Sequence, residues 1–176
     1  AGIAVGSDAA LTLSNATVTD NETTGRGGGI STFGTTAIVD STISDNSAGT
    51  YGGGIAQQDG TLTIDGSAIF GNSAAAGGGV YGLSSTSLDV SNTTIADNEA
   101  SGFGGGVLVN QTTLTLYNAT VAGNLADSGG GVMLDASEAT FINTIISANS
   151  ASTDSNFGLI NAVGYVFTIS TSLIDS

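Results

Sequence analysis

One motif, Gly-Gly-Gly followed by Ile or Val, returns along the whole chain, at Gly27–Ile30, Gly52–Ile55, Gly77–Val80, Gly104–Val107 and Gly129–Val132, with a shorter copy at Ala1-Gly2-Ile3. The closing Ile or Val residues are 27, 25, 25, 27 and 25 positions apart. A second motif keeps step with it, Ile or Val followed three residues later by Asn: Val18/Asn21, Ile43/Asn46, Ile69/Asn72, Ile95/Asn98, Val121/Asn124 and Ile146/Asn149. A repeat this short cannot bury an apolar face by itself, so each copy must stack on its neighbours.

Between the two motifs lies a short alternating pair: Leu11/Leu13, Leu62/Ile64, Leu88/Val90 and Leu114/Leu116, weakened to Thr36/Ile38 and Ala139/Phe141 in two copies. Alternation with a period of two marks strands, and the Gly, Ser, Asn and Asp between them mark turns. The pattern predicts an all-β parallel β-helix (β-solenoid) of about seven coils of 25–27 residues, with three short strands per coil, as one domain over residues 1–176. At the spacing of neighbouring strands the coils make a rod roughly 30–35 Å long. No segment shows helical periodicity, and a propeller blade needs about 40 residues. Right-handedness follows from the usual hand of parallel crossovers.

Charge sets limits on partners. One cation, Arg26, faces 15 Asp and Glu, a net charge of −14, and there is no His, Cys or Pro. Such a chain repels phosphate backbones and anionic lipid, so nucleic acid is excluded as a partner. No apolar run reaches the length of a membrane span, so direct membrane insertion is not expected. With 40% hydrophobic and 9% charged residues in strict register, the chain is not an acidic disordered tail. It begins with Ala and shows no signal segment, the expectation for a processed product or an excised piece of a longer protein.

The Gly triplets suit positive φ and close approach between turns; without a following Lys or helix they are not phosphate loops. The Asn column predicts a ladder of amides at a turn that tolerates left-handed geometry. A looser column, Asn15, Asp40, Gly66, Asn92, Asn118 and Asn143, precedes it. Asn15, Asn21, Asn92, Asn110 and Asn118 each fall in an Asn-x-Ser/Thr sequence, so glycosylation there stays open. Acids beside the Asn turn, Asp20, Asp45, Asp97 and Glu99 with Glu22 and Asp127, are candidate ligands for Ca²⁺, since stacked like charges gain from a cation. The alternative is a solvated acidic edge, and the Gly-Gly-x-Gly-x-Asp calcium repeat is absent. Outward Thr residues such as Thr17, Thr42, Thr94 and Thr120 form a partial array, interrupted by Ala68 and Ile145.

Catalysis finds little to use. Without His or Lys there is no nucleophilic triad and no strong base apart from Arg26 in its Gly-rich turn. A hydrolase needs two placed carboxylates, for which Asp40, Asp65 and Asp89 are the only cluster. No catalytic residue and no required cofactor are expected.

The paired motifs resemble the GGA[ILV] and FxxN repeats of the chlamydial polymorphic outer-membrane proteins, and more widely the right-handed β-helix repeats of bacterial surface proteins. Asn143–Asn149 and the stretch from Asn161 to Asp175 look like C-terminal coils of that wider family. Ile or Val stands here where the chlamydial motif has Phe. The resemblance implies a non-enzymatic, extracellular or cell-surface role. Register adds a second expectation, that the chain is a fibre subunit. It opens inside a Gly-Gly-Ile motif and stops at Ile174-Asp175-Ser176, one residue short of the turn Asn, so copies would meet almost in phase, head to tail. An adhesin module binding cell-surface glycans or a host surface is the alternative, and a glycan-active enzyme the next.

Overall fold

The computed structural model describes residues 1–84, 87–161 and 166–174. Its first coil contains four strands: β1 (Ile3–Val5), β2 (Ala10–Ser14), β3 (Thr17–Thr19) and β4 (Glu22–Thr23). Each pairs in parallel with its counterpart in the next coil, Ile30–Thr32, Thr35–Val39, Thr42–Ser44 and Ser47–Ala48. Continued along the chain, this builds four sheets of seven, seven, seven and six strands. Six coils carry all four strands, and the described part of a seventh carries three. Asp175 and Ser176, part of the register argument for stacking, lie outside the described residues, as do residues 162–165. No helix among the described residues is long and apolar enough to cross a membrane.

The fourth sheet corrects the expected three strands per coil. Its members, among them Ser47–Ala48 and Ser73–Ala76, are rich in Ser and Ala, with no apolar alternation to announce them. They are strands because the coil below pairs with them: Ser47 N–H donates to the Asn21 carbonyl at 2.8 Å, and Ser73 N–H to that of Asn46 at 2.9 Å.

The two predicted columns are interior. Ile3, Ile30, Ile55, Val80, Val107 and Val132 are in register along the first sheet, continued by Phe157. Val18, Ile43, Ile69, Ile95, Val121 and Ile146 align along the third. From Ile30 and Ile43 to Val132 and Ile146 they are fully buried and form one continuous core with the Leu62/Ile64 pair and its equivalents. Each such side chain contributes about 1.5–3 kcal/mol by leaving water.

Irregular coils repair themselves locally. Where Ala139 is small, the neighbouring column carries the large Phe141, which is buried and meets Phe157 edge-on at 5.5 Å between centroids. Thr36, inside the core, shares its hydroxyl with Thr32 at 2.9 Å, and the buried Gln57 amide donates to the Gly34 carbonyl at 3.2 Å.

The triplets act as their spacing suggested. Gly52 has φ +65°, and a Cβ on Gly53 would lie 2.4 Å from the Gly78 carbonyl oxygen of the next coil. The third Gly meets the next coil in the same way, a Cβ on Gly54 lying 2.7 Å from the Gly79 carbonyl oxygen, and serves a second need: a Cβ on Gly54 or Gly106 would also press on the side chain of Asn72 or Asn124 at 3.2 and 3.0 Å. That glycine makes room for the Asn of its own coil.

Candidate functional site

The most extensive polar array in the molecule is the Asn column. Asn46 N–H and Nδ2 both donate to Asn72 Oδ1 at 3.0 Å, and Nδ2 also reaches the carbonyls of Ser44 (2.8 Å) and Val18 (3.0 Å). Asn72, Asn98 and Asn124 repeat the arrangement and are fully buried. A buried amide is stable only when its groups are paired, and here the pairing is coil to coil. One expectation is corrected. The residues at positive φ are those just before the Asn: Asp20 (57°), Asp45 (54°), Gly71, Asp97 (54°), Gly123 and Ala148 (56°).

That placement explains the acids. Asp and Gly are among the residues that enter the left-handed region most readily. Asp20 and Asp45 occupy neighbouring coils, then Gly71 separates Asp45 from Asp97, and Gly123 follows Asp97. Glu99 lies on the fourth sheet instead, with Asp127 on the wall of an open trough of about 370 Å³. Among the described residues no three Asp or Glu side chains gather closely enough to hold a metal ion. Asp20 and Asp45 are thus neighbours along the turn, but Asp20, Asp45, Asp97 and Glu99 do not form one cluster.

Nor do Asp40, Asp65 and Asp89 converge. Asp65 lies opposite Ser91 on the second sheet, whereas Asp89 lies opposite Thr63, one row across. Asp65 Oδ1 accepts from Ser91 Oγ at 2.6 Å and Asn92 Nδ2 at 2.7 Å. These bonds, Ser91 first, hold its carboxyl below the usual carboxylate range. It is suited to staying ionised, not to delivering a proton. Asp40 neighbours Gly66, where a Cβ would come within 2.5 Å of its Oδ1.

Four of the five glycosylation candidates direct their amides into coil-to-coil bonds: Asn21 to Asn46, Asn92 to Asp65, Asn110 to Asp135 and Asn118 to Asn92. The exposed Asn15 bonds only its neighbour Ser14 through Nδ2. A second ladder escaped the sequence reading. Hydroxyls of Ser41, Ser67 and Thr93 each accept from the backbone N–H one coil below, at 3.1–3.2 Å. Its signal was a Ser or Thr two residues before the Ile or Val of the second motif.

Sequence reasoning also missed an apolar cluster outside the core. Ala76, Tyr81, Leu108 and Met133 are buried there, with Tyr51, Leu83 and Ile160 packed against them. Tyr51 and Tyr81 stack at 4.6 Å, and the Arg26 guanidinium sits 5.1 Å from the Tyr51 ring. The available signal was a loss of alternation: Val80-Tyr81, Val107-Leu108-Val109 and Val132-Met133-Leu134 are continuous apolar runs, as in strands covered on both faces.

No curated protein and no solved structure matches the chain. A family model described as a right handed beta helix region matches residues 1–146, well over half of the length. Parallel coils, inward columns and this match together place the chain in the right-handed β-helix family.

Proposed function

We propose that this protein is a non-enzymatic structural rod working outside the cell, with copies stacking head to tail into a fibre. The observation that carries this reading is the direction of its interactions. The Asn and hydroxyl ladders and the paired backbones all run along the rod axis, with ladder partners 25 or 26 residues apart. The flanks carry most of a net charge of −14, which opposes side-by-side approach. Self-association by the rod's own bonding pattern is axial, and an axial contact that does not close gives a filament. The non-enzymatic reading draws on Asp65 being held ionised and on Asp20, Asp45 and Asp97 serving left-handed turns.

A second reading, an adhesin-type module within a longer surface protein, is favoured by Asn156. It stands where each earlier coil has the third Gly of its triplet, in the space the next ladder Asn would need. The likeness of the repeats to those of chlamydial polymorphic outer-membrane proteins points the same way. Electron microscopy and sedimentation of the purified chain separate the two. Filaments support the fibre; a monomer at high concentration leaves the module. Turnover of an acidic polysaccharide, lost on Asp65→Ala, would sink the non-enzymatic reading.

A further inference from the structure

We propose that the groove where the fourth sheet meets the first is a binding site for one neutral sugar ring. The inference is independent of whether the rod stacks. On the first sheet, Tyr81, Leu108 and Met133 occupy one column in successive coils and face away from the core. Phe103 ends a strand of the fourth sheet opposite Ala76 and is 47% exposed. Between them lies a cavity of about 190 Å³, lined by Tyr81, Phe103, Leu108, Asn110, Asp135 and Ile160. This is below the roughly 300–1,000 Å³ of ordinary ligand pockets, a size for a single ring and not for a chain.

The groove holds an unused polar group. The Tyr81 ring is almost wholly covered, while its hydroxyl keeps contact with solvent in the groove and bonds no protein group among the described residues. Burial pushes that hydroxyl's pKa up, with smaller contributions from Tyr51 and Asp135 against that of Arg26, so it remains a donor at neutral pH. Asp135 is held for recognition: its Oδ2 accepts from Asn110 Nδ2 at 2.6 Å and its Oδ1 from Asn161 Nδ2 at 2.7 Å. Each carboxylate oxygen keeps a lone pair for a further donor.

Charge and shape select the ligand. Anions are repelled by the chain as a whole. Locally, Asp135 on one side is balanced by Arg26 on the other, where the guanidinium covers Tyr51 and donates to Gln58. Within the lining the one charged group is Asp135, already engaged by two amides, so it serves as a hydrogen-bond acceptor for a hydroxyl. A neutral pyranose has an apolar C–H face for the Phe103 and Leu108 walls, and edge hydroxyls for Tyr81, Asn110 and Asp135. The negative face of an aromatic ring favours such C–H groups.

The test is saturation-transfer NMR and calorimetry on the whole chain with methyl glucoside, methyl galactoside and methyl mannoside, and with choline and galacturonic acid as charged comparators. At least one neutral glycoside is expected to bind. Tyr81→Phe, which keeps the ring, and Phe103→Ala, which removes an exposed side chain, should each weaken it roughly five- to tenfold, with circular dichroism unchanged. Absence of saturable binding by all three neutral glycosides, binding by a charged comparator alone, or binding indifferent to both substitutions would overturn the proposal.

Discussion

Asn149 and Asn156 are seven residues apart in the chain but meet as neighbours in the Asn ladder: Asn156 Oδ1 accepts from Asn149 N–H at 3.0 Å and from its Nδ2 at 2.9 Å. Elsewhere the same pair of bonds joins residues 25 or 26 apart. The acceptor has moved from the turn that follows the third sheet to the position of the triplet's third Gly. Asn156→Ala should therefore leave the Asn149 backbone N–H unpaired, while Asn149 Nδ2 keeps the Val121 and Ser147 carbonyls, costing about 1–3 kcal/mol. Hydrogen exchange should show the loss concentrated at Asn149 and Phe157, with the middle coils unchanged.

Within the rod the same substitution is more costly. Asn98→Ala removes the acceptor of Asn72 N–H and Nδ2, and the donor to the Ile69 and Ala96 carbonyls. A loss of about 3 kcal/mol or more is expected in denaturant melts. Asn98→Asp, nearly isosteric, sets a carboxylate against those carbonyls, which raises its folded-state pKa above the unfolded value. Its deficit relative to wild type should shrink as pH falls, whereas that of Asn98→Ala should not.

Two glycines predict opposite outcomes for one chemical change. A Cβ on Gly53 meets the backbone oxygens of Gly78 at 2.4 Å and Ser73 at 2.5 Å, neither of which can swing aside. Gly53→Ala should cost about 1–3 kcal/mol or more, as overpacking does. A Cβ on Gly6 meets nothing within 4 Å, so Gly6→Ala should be neutral or stabilise by up to about 1 kcal/mol, through the unfolded chain. Thermal melts of the two variants decide it.

Much of this fold was legible because one residue per period performs the same task. The column from Ile30 to Val132 repeats its chemistry in every coil, and its spacing fixes which residues share a sheet. The fourth sheet was illegible because its pairing is a property of the backbone: Ser47 and Ser73 are strand residues through their N–H groups, not their side chains. The groove was hidden for another reason. Tyr81, Leu108 and Met133 share their column with Ala4, Ser31 and Ala56, so no periodic search distinguishes them. Asn156 was missed because it leaves the period altogether.

The turn acids yield a prediction that separates conformation from metal binding. Asp97 holds φ 54°, and Gly123 in the next coil lies so close that a Cβ there would be 2.4 Å from Asp97 Oδ1. If backbone conformation is what Asp97 supplies, Asp97→Gly should melt with the wild type, and Asp97→Val should lose about 1–2 kcal/mol for placing a β-branched residue at positive φ. Melting temperatures in calcium and in chelator should coincide for all three proteins. A calcium-dependent rise that Asp97→Gly abolishes would restore the metal reading.

Acid stability should depend on the bonds around one half-buried residue, Asp65. Ser91 Oγ and Asn92 Nδ2 hold the folded-state pKa of Asp65 below its ordinary value, while the unfolded chain titrates near the reference value of about 3.9. Between the two values the unfolded state binds more protons, so stability rises with pH there. The contribution is complete above the unfolded pKa and is lost as pH falls through the folded one. Removing both donors with Ser91→Ala and Asn92→Gly, which tolerates the positive φ of 50° at that position, should raise the folded-state pKa towards the unfolded one and move the acid-unfolding midpoint to higher pH. Asp65→Asn should not share that pH dependence, because it carries no titrating group. Acid-unfolding curves of the three proteins measure this, and superimposable curves for wild type and the double variant would show that these two hydrogen bonds do not couple Asp65 to folding.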